Sequence, residues 1–395
     1  MRRLVVVLFT AAVLATGQAS SGLDKAWNLA AKGQPDEAIA LLRTLIAKDR
    51  TNADAHLLLG SLLMEKGERE ECLAQLQEAV KLRPRSADAQ NALGEAYEAF
   101  GDHASAVAPF ERAVAVKPGF AVAQANLGEA LLETGKMPEA AAHLEKAIAL
   151  LGRSPDSAQP RYLRAKIYSD RNQPQQAEAQ LEAAVAARPD FPEAWSDLGE
   201  VKKLLGDDAG ALHAFERAVS QRPDDGVAQY RLGLEYLQQN QAASAVEHLQ
   251  KAFELHPQDQ SVLNSLQMAL RKDNRPAEAD AVKQKLTELL REKDRTTQNA
   301  LQAVRLNNEG AGLEKGGDLS AALDKYRQAV ALAPQHAGIR MNYAVALLRT
   351  GQWTEGLNQI HEALHIDPGN TQIQAALKDA LKQAPPATIP DWARH

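Results

Sequence analysis

Residues 361–365 carry the motif whose spacing is most typical of a chemical site. His361, Glu362 and His365 match the pattern H-E-x-x-H. On a helix this spacing places two imidazoles on one face, where they can bind zinc while the glutamate acts as general base. A catalytic zinc also needs a third protein ligand, and the next candidates, Asp379 and Asp391, fall in a predicted capping helix and tail. We therefore interpret the match as coincidental and expect neither metal binding nor catalysis there.

The remaining reactive residue types form no recognisable site. Cys72 is the single cysteine, so the chain can form no intrachain disulfide. The sequence contains no glycine-rich phosphate loop, no C-x-x-C pair and no nucleophile elbow. We expect a non-catalytic protein without a cofactor, in which Cys72 is a buried thiol.

Composition and charge narrow the class of protein further. The chain has 395 residues, of which 45% are hydrophobic and 24% charged, as in ordinary globular proteins. Its net charge is −6, from 45 Lys and Arg against 51 Asp and Glu. A protein that binds nucleic acid by neutralising phosphates usually has a clear basic excess. We therefore expect no nucleic-acid partner.

The first residues have the pattern of an export signal. Arg2 and Arg3 precede an apolar run at 4–14, and small residues follow, with a cleavage site before Ser20. The run is shorter than the roughly 20 residues that span a bilayer. We expect residues 1–19 to be a cleaved Sec-type signal peptide and the mature chain to be periplasmic or secreted, without a membrane span. The alternative is an anchor formed by the uncleaved signal.

A period of 34 residues organises the rest of the chain. Pro84 and Pro118 are 34 residues apart, as are Pro189, Pro223 and Pro257. If these prolines stand at position 32, ten repeats begin at residues 19, 53, 87, 121, 158, 192, 226, 260, 303 and 337. Such a period is typical of repeat proteins, whose units bury their apolar surface only by stacking on their neighbours.

Other positions within the repeat follow the same period. Position 15 is Gly or Asn in all ten repeats, and both residues readily enter the left-handed conformation that ends a helix. Position 20 is always small, and large apolar residues recur at positions 7, 11 and 24, as at Leu93, Tyr97 and Phe110. Each repeat is therefore predicted to be two helices joined by a tight turn, with the proline ending the second helix.

This unit resembles a tetratricopeptide repeat. In repeat 3 the resemblance lies in Leu93, Gly94, Tyr97, Ala106, Phe110, Ala113 and Pro118. It implies an all-α fold, a right-handed superhelical solenoid of helix–turn–helix repeats whose first helices line a concave groove. It also implies that a partner peptide or helix binds in that groove.

Repeat 8 departs most from the pattern. Lys283 stands at a large apolar position, Arg291 replaces the proline, and nine extra residues follow before repeat 9. We expect a repeat array over 20–293, an inserted helical joint at 294–302 and repeats 9 and 10 over 303–370. A capping helix is predicted at 371–384 and a flexible tail at 385–395.

Positions 2, 5, 9, 12 and 13 of the first helix lie opposite its packing face and are predicted to line the groove. In repeats 2 to 4 they include several acidic residues and no Lys or Arg, as at Asp54, Asp88, Glu95, Glu98, Glu129 and Glu133. In repeat 7 they include Tyr230, Leu234 and Leu237, which we expect to be exposed, and they include Tyr162 in repeat 5 and Arg271 in repeat 8. A solvated helix face would also be rich in Glu, so this alternative stays open for the acidic set.

The sequence thus predicts a protein-interaction scaffold that binds a protein or peptide in its groove and serves envelope assembly or secretion. The alternative is an accessory subunit that recruits substrate for a separately encoded enzyme, such as a glycosyltransferase or protease. The oligomeric state is left open.

Overall fold

The computed structural model describes residues 21–393 and contains α-helices and short 3-10 turns, with no strand in that range. The predicted signal peptide lies outside the described residues. The chain divides into two compact units, the first ending at Pro257 and the second beginning at Gln258. Each unit is an all-α solenoid of stacked helix–turn–helix repeats, as predicted.

The N-terminal unit consists of seven helix pairs, each pair forming one repeat. Within it each second helix packs on the first helix of the next repeat. The helices are α1 (Ser21–Ala31), α2 (Pro35–Lys48), α3 (Ala53–Lys66), α4 (Arg69–Leu82), α5 (Ala87–Ala99), α6 (His103–Val116), α7 (Ala121–Glu133), α8 (Met137–Leu151), α9 (Ala158–Asp170), α10 (Pro174–Ala187), α11 (Pro192–Leu204), α12 (Asp208–Gln221), α13 (Gly226–Gln238) and α14 (Ala242–Leu255).

The C-terminal unit contains repeats 8 to 10 and a final helix. Its helices are α15 (Gln260–Lys272), α16 (Pro276–Lys315), α17 (Leu319–Leu332), α18 (Ala337–Arg349), α19 (Trp353–Ile366) and α20 (Thr371–Gln383). In eight of the ten repeats the first helix begins at the residue that the 34-residue period assigns to position 1. Among residues 21–393 no helix combines the length and the apolar character that crossing a membrane requires.

The turn inside each repeat depends on position 15. All ten residues at this position have positive φ, from 55° at Asn172 to 88° at Gly317. This left-handed conformation ends the first helix and lets the chain reverse within a few residues. Gly and Asn tolerate it better than other residues, which is why the period could be detected at this position.

The core of each repeat is formed where its two helices cross. Position 20 is fully buried in nine repeats, from Ala38 to Ala322, and Cys72 occupies it in repeat 2. Position 8 lies against the large residue at position 24, and a Cβ added to Gly94 would stand 2.5 Å from the ring of Phe110. Glycine at position 8 therefore allows the close approach that a large residue at position 24 requires.

A side chain at position 4 joins consecutive repeats through a contact that the sequence did not reveal. It donates a hydrogen bond to the carbonyl oxygen of the proline at position 32 of the preceding repeat, six residues upstream. The pairs are Gln90–Pro84, Gln124–Pro118, Trp195–Pro189, Gln229–Pro223, Arg340–Pro334 and Gln374–Pro368, at 2.7–3.3 Å. A proline carbonyl at the end of a helix has no intrahelical partner, so this bond satisfies it.

Repeats 8 and 9 are joined by one continuous helix. α16 runs for 40 residues, so residues 294–302 are helical and no turn separates the two repeats. Arg291 stands where other repeats have the proline that ends the second helix. All side chains from 290 to 298 are exposed, while α15 packs on α16 before this stretch and α17 after it.

The C-terminal segment, for which we predicted a flexible tail, contains two short 3-10 turns. Residues 386–388 and 391–393 form 3-10 turns that pack back on α19. Thr354 Oγ1 donates to Thr388 O at 2.8 Å, and Trp392 Nε1 donates to Asn358 Oδ1 at 2.8 Å. Both pairs are 34 residues apart, so the segment follows the path that the second helix of an eleventh repeat would take.

Candidate partner-binding surface

The first helices of neighbouring repeats lie side by side and are cross-linked by a polar ladder. Position 6 of one repeat bonds to positions 5 and 9 of the repeat before it. Asn126 Nδ2 donates to Asn91 Oδ1 and Glu95 Oε1, both at 3.1 Å. Arg231 repeats the arrangement, with Nη1 2.8 Å from Ser196 Oγ and Nε 3.1 Å from Glu200 Oε1. Positions 5 and 9, which we predicted to face a partner, are therefore partly used to join repeats.

Several members of the acidic set have partners within the protein. Asp54 forms an ion pair with Arg83 at 2.6 Å, and Glu98 pairs with His103 at 2.7 Å. The hydrogen bond from His103 to Glu98 raises the pKa of that imidazole, and the charges of Glu98, Glu133 and Glu129 add to the effect. His103 lies at the start of α6, so in its protonated form it offsets part of the charge that the first helices carry.

Asp88 and Glu133 are the exposed members of the acidic set, whereas Asp54, Glu95, Glu98 and Glu129 are half-buried. The set follows three successive first helices, α3, α5 and α7. Because half-buried carboxylates with internal partners are held in place, they present a fixed negative face rather than mobile charges.

The apolar face of repeat 7 lies on α13, but not with the exposures that we predicted. Leu237 is only 4% exposed and belongs to the core, which corrects its assignment as an exposed groove residue. Tyr230 and Leu234 are half-buried. Val227, at position 2 of the same helix, is 52% exposed.

Leu204 is a surface residue that sequence reasoning missed. It stands at position 13 of repeat 6, the last residue of α11, and is 68% exposed, more than any other large hydrophobic residue among those described. Position 13 belongs to the set that we predicted to face the groove, so the period itself could have pointed to it. It is separate from Val227, Tyr230 and Leu234, which lie at positions 2, 5 and 9 on one side of α13 and which we call the apolar patch.

Tyr162 is tied into the fold. Its hydroxyl hydrogen-bonds the carboxyl group of Asp197, and its ring lies 5.0 Å from that of Phe191. Burial raises the pKa of both Asp197 and Tyr162. Tyr162 joins repeats 5 and 6, so only its remaining half-exposed surface can face a partner.

Arg271 belongs to the C-terminal unit. It lies with Asn264, Met268 and Lys272 along an open depression on α15, and its guanidinium is 3.6 Å from Asp280. Met268 is exposed at position 9. α15 therefore carries an exposed apolar residue, Met268, close to the basic residues Arg271 and Lys272.

The single cysteine and the H-E-x-x-H motif lie in different repeats. Cys72 is fully buried, and burial raises the pKa of its thiol to about 11, so it is protonated at neutral pH. His361 and His365 lie one turn apart on the outer side of α19, half-buried and exposed respectively. Within residues 21–393 no group of three or more His, Cys, Asp or Glu side chains is arranged to hold a metal ion.

The stacked helical repeats and their cross-linked first helices define a helical-repeat scaffold for protein interactions. Tetratricopeptide repeat models match residues 29–96, 87–120, 119–190, 162–226, 227–259 and 314–383. The chain belongs to the tetratricopeptide repeat family. The matched ranges leave out residues 260–313, where repeat 8 and α16 depart from the pattern. Repeats of this family typically form interaction modules rather than catalytic sites.

The chain is also similar to solved structures of other proteins. PilF of Pseudomonas aeruginosa is 18% identical, with a TM-score of 0.50, over 55% of this chain and 97% of its own. PilW, described as a type IV pilus biogenesis factor, is 22% identical, with a TM-score of 0.47, over 54% and 98%. YrrB, described as a TPR protein with an unusual peptide-binding site, is 22% identical, with a TM-score of 0.41, over 48% and 96%. A comparison with curated protein sequences finds no significant match.

Proposed function

We propose that the protein is an exported scaffold whose N-terminal unit binds a segment of a partner protein at the apolar patch. The observation that carries the proposal is the exposure of Val227 on the same side of α13 as the half-buried Tyr230 and Leu234. Exposed apolar side chains that cluster on one surface usually mark an interaction site. Aromatic and aliphatic residues of this kind also supply most of the energy of typical interfaces.

Three earlier first helices of the same unit, α3, α5 and α7, carry the charge that selects the partner. Asp88 and Glu133 are exposed on α5 and α7, and the half-buried carboxylates of α3, α5 and α7 add to the same sign. Such a face attracts a segment that combines an apolar anchor with basic residues. The charges would speed encounter and set the register more than they add affinity, since most of them already have partners in the protein.

The compartment that we propose is the periplasm, or the outside of the cell, because residues 1–19 have the pattern of an export signal. We propose that, in this compartment, the protein serves envelope assembly or secretion. An uncleaved signal would instead hold the same scaffold at the membrane surface.

The test is crosslinked capture from intact cells. The variant Val227→Ser, Tyr230→Ser, Leu234→Ser should capture the partner much less than the wild type, because all three substitutions remove apolar surface from the patch. The matched control is Val116→Ser with Leu150→Ser, which changes two exposed apolar residues on the second helices α6 and α8. Circular dichroism should show the same helical content in all three proteins.

Equal capture by the wild type and the patch variant would refute the assignment of the patch. A partner set dominated by one catalytic subunit would favour the accessory-subunit function over a general scaffold.

A further inference from the structure

The C-terminal part of α16 serves as the first helix of repeat 9, and one of its sides is open. In other repeats the side at positions 3, 7 and 10 faces the second helix of the preceding repeat, since Arg164 at position 7 of repeat 5 bonds Glu145 of α8 at 3.2 Å. Positions 3 and 10 are buried in repeat 4 and in repeat 10. In repeat 9 they are Arg305, whose side chain is 71% exposed, and Gly312, where an added Cβ would meet nothing within 4 Å.

Within one copy of the protein this side cannot receive its usual neighbour. The second helix of repeat 8 and the first helix of repeat 9 are two ends of one continuous helix, Pro276–Lys315. At 1.5 Å per residue α16 is about 60 Å long, and its two ends cannot lie side by side unless the helix breaks. The helix that would cover this side of repeat 9 can therefore come only from a second copy of the chain.

An exposed apolar stripe runs along the same side of α16. Leu290 is 45% exposed, Leu301 62% and Val304 43%. At 3.6 residues per turn, the two leucines fall within about 60° of Arg305 and Gly312 around the helix axis. The stripe therefore adjoins the open side of repeat 9 and continues it towards repeat 8.

The spacing of the stripe is the same in both directions from Thr297. Leu301 and Val304 lie four and seven residues after it. Lys293 and Leu290 lie four and seven residues before it. Two antiparallel copies of α16 related by a two-fold axis at Thr297 therefore place Leu290 of each copy against Val304 of the other. The aliphatic stem of Lys293 then covers Leu301.

We propose that two copies of the protein pair through antiparallel α16 helices, so that repeat 8 of each copy stacks on repeat 9 of the other. Each copy supplies the neighbour that the other lacks, as in domain swapping. The exposed Lys283 of one copy comes close to the exposed Glu309 of the other, so charges of opposite sign meet at both ends of the pair. Arg295 lies on the far side of the helix from the stripe and stays accessible. The apolar patch lies on α13, so this inference does not depend on the proposed function.

The first test is sedimentation of the purified protein over a range of concentrations, which should show a monomer–dimer equilibrium. Leu290→Ser with Leu301→Ser should raise the dissociation constant at least about tenfold, because four apolar side chains leave the interface. Both residues are exposed in the single copy, so circular dichroism should be unchanged. The matched control is Met268→Ser with Val345→Ser, two exposed apolar residues on α15 and α18, which should leave the equilibrium as it is.

The second test fixes the direction of pairing through single cysteines. Under mild oxidation, a mixture of Leu290→Cys and Val304→Cys proteins should form a mixed disulfide. Leu290→Cys alone should form none, because the two copies of residue 290 lie about 20 Å apart along an antiparallel pair. Cys72 is fully buried and does not compete.

A wild type that stays monomeric at every concentration, or that pairs equally well after both leucines are replaced, would overturn the proposal. Disulfide formation by Leu290→Cys with itself would show parallel pairing and would overturn the exchange of neighbours between repeats 8 and 9. Crosslinking of the Leu290→Cys protein in cells to a different protein, with the purified chain monomeric, would assign the stripe to another partner.

Discussion

In repeat 7, Nδ1 of His248 lies 2.8 Å from Oε1 of Gln229. The same Gln229 donates through Nε2 to Pro223 O, so its Oε1 must be the acceptor and His248 the donor. Repeat 4 contains the same chain of bonds through His143, Gln124 and Pro118. Repeat 2 has the exchanged pair, with His56 at position 4 and Gln75 at position 23. One network thus joins both helices of a repeat to the end of the repeat before it.

This network predicts a stability that falls in mild acid. Burial lowers the pKa of His143 and His248, so the unfolded chain, with a histidine pKa near 6.5, binds more protons than the folded one. Their stabilising contribution is therefore complete above about pH 6.5 and is lost as the pH falls below it. The double variant His143→Gln, His248→Gln should lose less thermal stability than the wild type between about pH 7.5 and about pH 5.5.

His103 supplies the control for this prediction. Its pKa is raised by the hydrogen bond to Glu98, so its contribution is present below about pH 6.5 and is lost as the pH rises through the folded-state pKa. His103→Gln should therefore make the acid-induced loss larger. If the melting temperatures of the wild type, the double variant and His103→Gln fall by the same amount across this pH range, these histidines do not cause the acid sensitivity.

The two helices of a repeat cross at position 20, so we predict that a larger side chain at this position lowers the stability of the fold. Ala211 is fully buried in α12, and Leu at that position would push the helices of repeat 6 apart. Ala211→Leu should lower the free energy of unfolding by about 1–3 kcal/mol. Chemical denaturation measures it, and Ala209→Leu, an exposed change on the same helix, is the control. If both variants unfold alike, the position assigned to the crossing is wrong.

Lys203 and Glu235 form an ion pair between repeats 6 and 7, and we predict that their substitutions affect stability non-additively. Glu235 is fully buried at position 10, where Ala96 and Ala130 stand in other repeats, and its Oε2 lies 3.2 Å from Nζ of Lys203. Lys203→Met should cost about 1–3 kcal/mol, because it leaves the carboxylate without its counter-charge. Adding Glu235→Ala should restore most of that loss, since apolar replacements of buried pairs are often neutral. Chemical denaturation of both single variants and the double variant completes the cycle, and additive effects would show that the two charges do not interact.

We predict that limited proteolysis begins in the middle of α16. Residues 290–298 are exposed on all sides, so this stretch is held by helical hydrogen bonds without tertiary packing, which stabilises helices only marginally. Trypsin should cut first at Arg291, Lys293 or Arg295, and mass spectrometry of the earliest fragments identifies the bond. Earlier cleavage at the exposed Lys136 or Arg171, which lie in turns, would contradict it.

The N-terminal pattern predicts a mature chain that begins near Ser20. N-terminal sequencing of the protein from fractionated cells checks the cleavage and the compartment together. Recovery of the intact chain in the membrane fraction would support the uncleaved anchor instead.

Much of the fold could be predicted because its determinants are local and repeated. Position 15 needs a left-handed residue, position 20 needs a small one, and the proline ends a helix, so each leaves the same mark every 34 residues. Arg291 at a proline position marked the join between repeats 8 and 9 for the same reason. The apolar surface of the first helices was predicted only in part, since Leu237 is buried and the exposed Leu204 was overlooked.

What the sequence determined by itself is therefore the repeat, its two helices and the places where the pattern fails, because backbone conformation and close packing restrict residue types position by position. Only the tertiary structure decided how polar side chains pair between repeats, as Asn126 does with Glu95, and where the C-terminal segment lies. Hydrogen bonds and ring stacking between residues about 34 apart depend on how helices are placed side by side. Many residue types can make such contacts, so they leave no periodic mark.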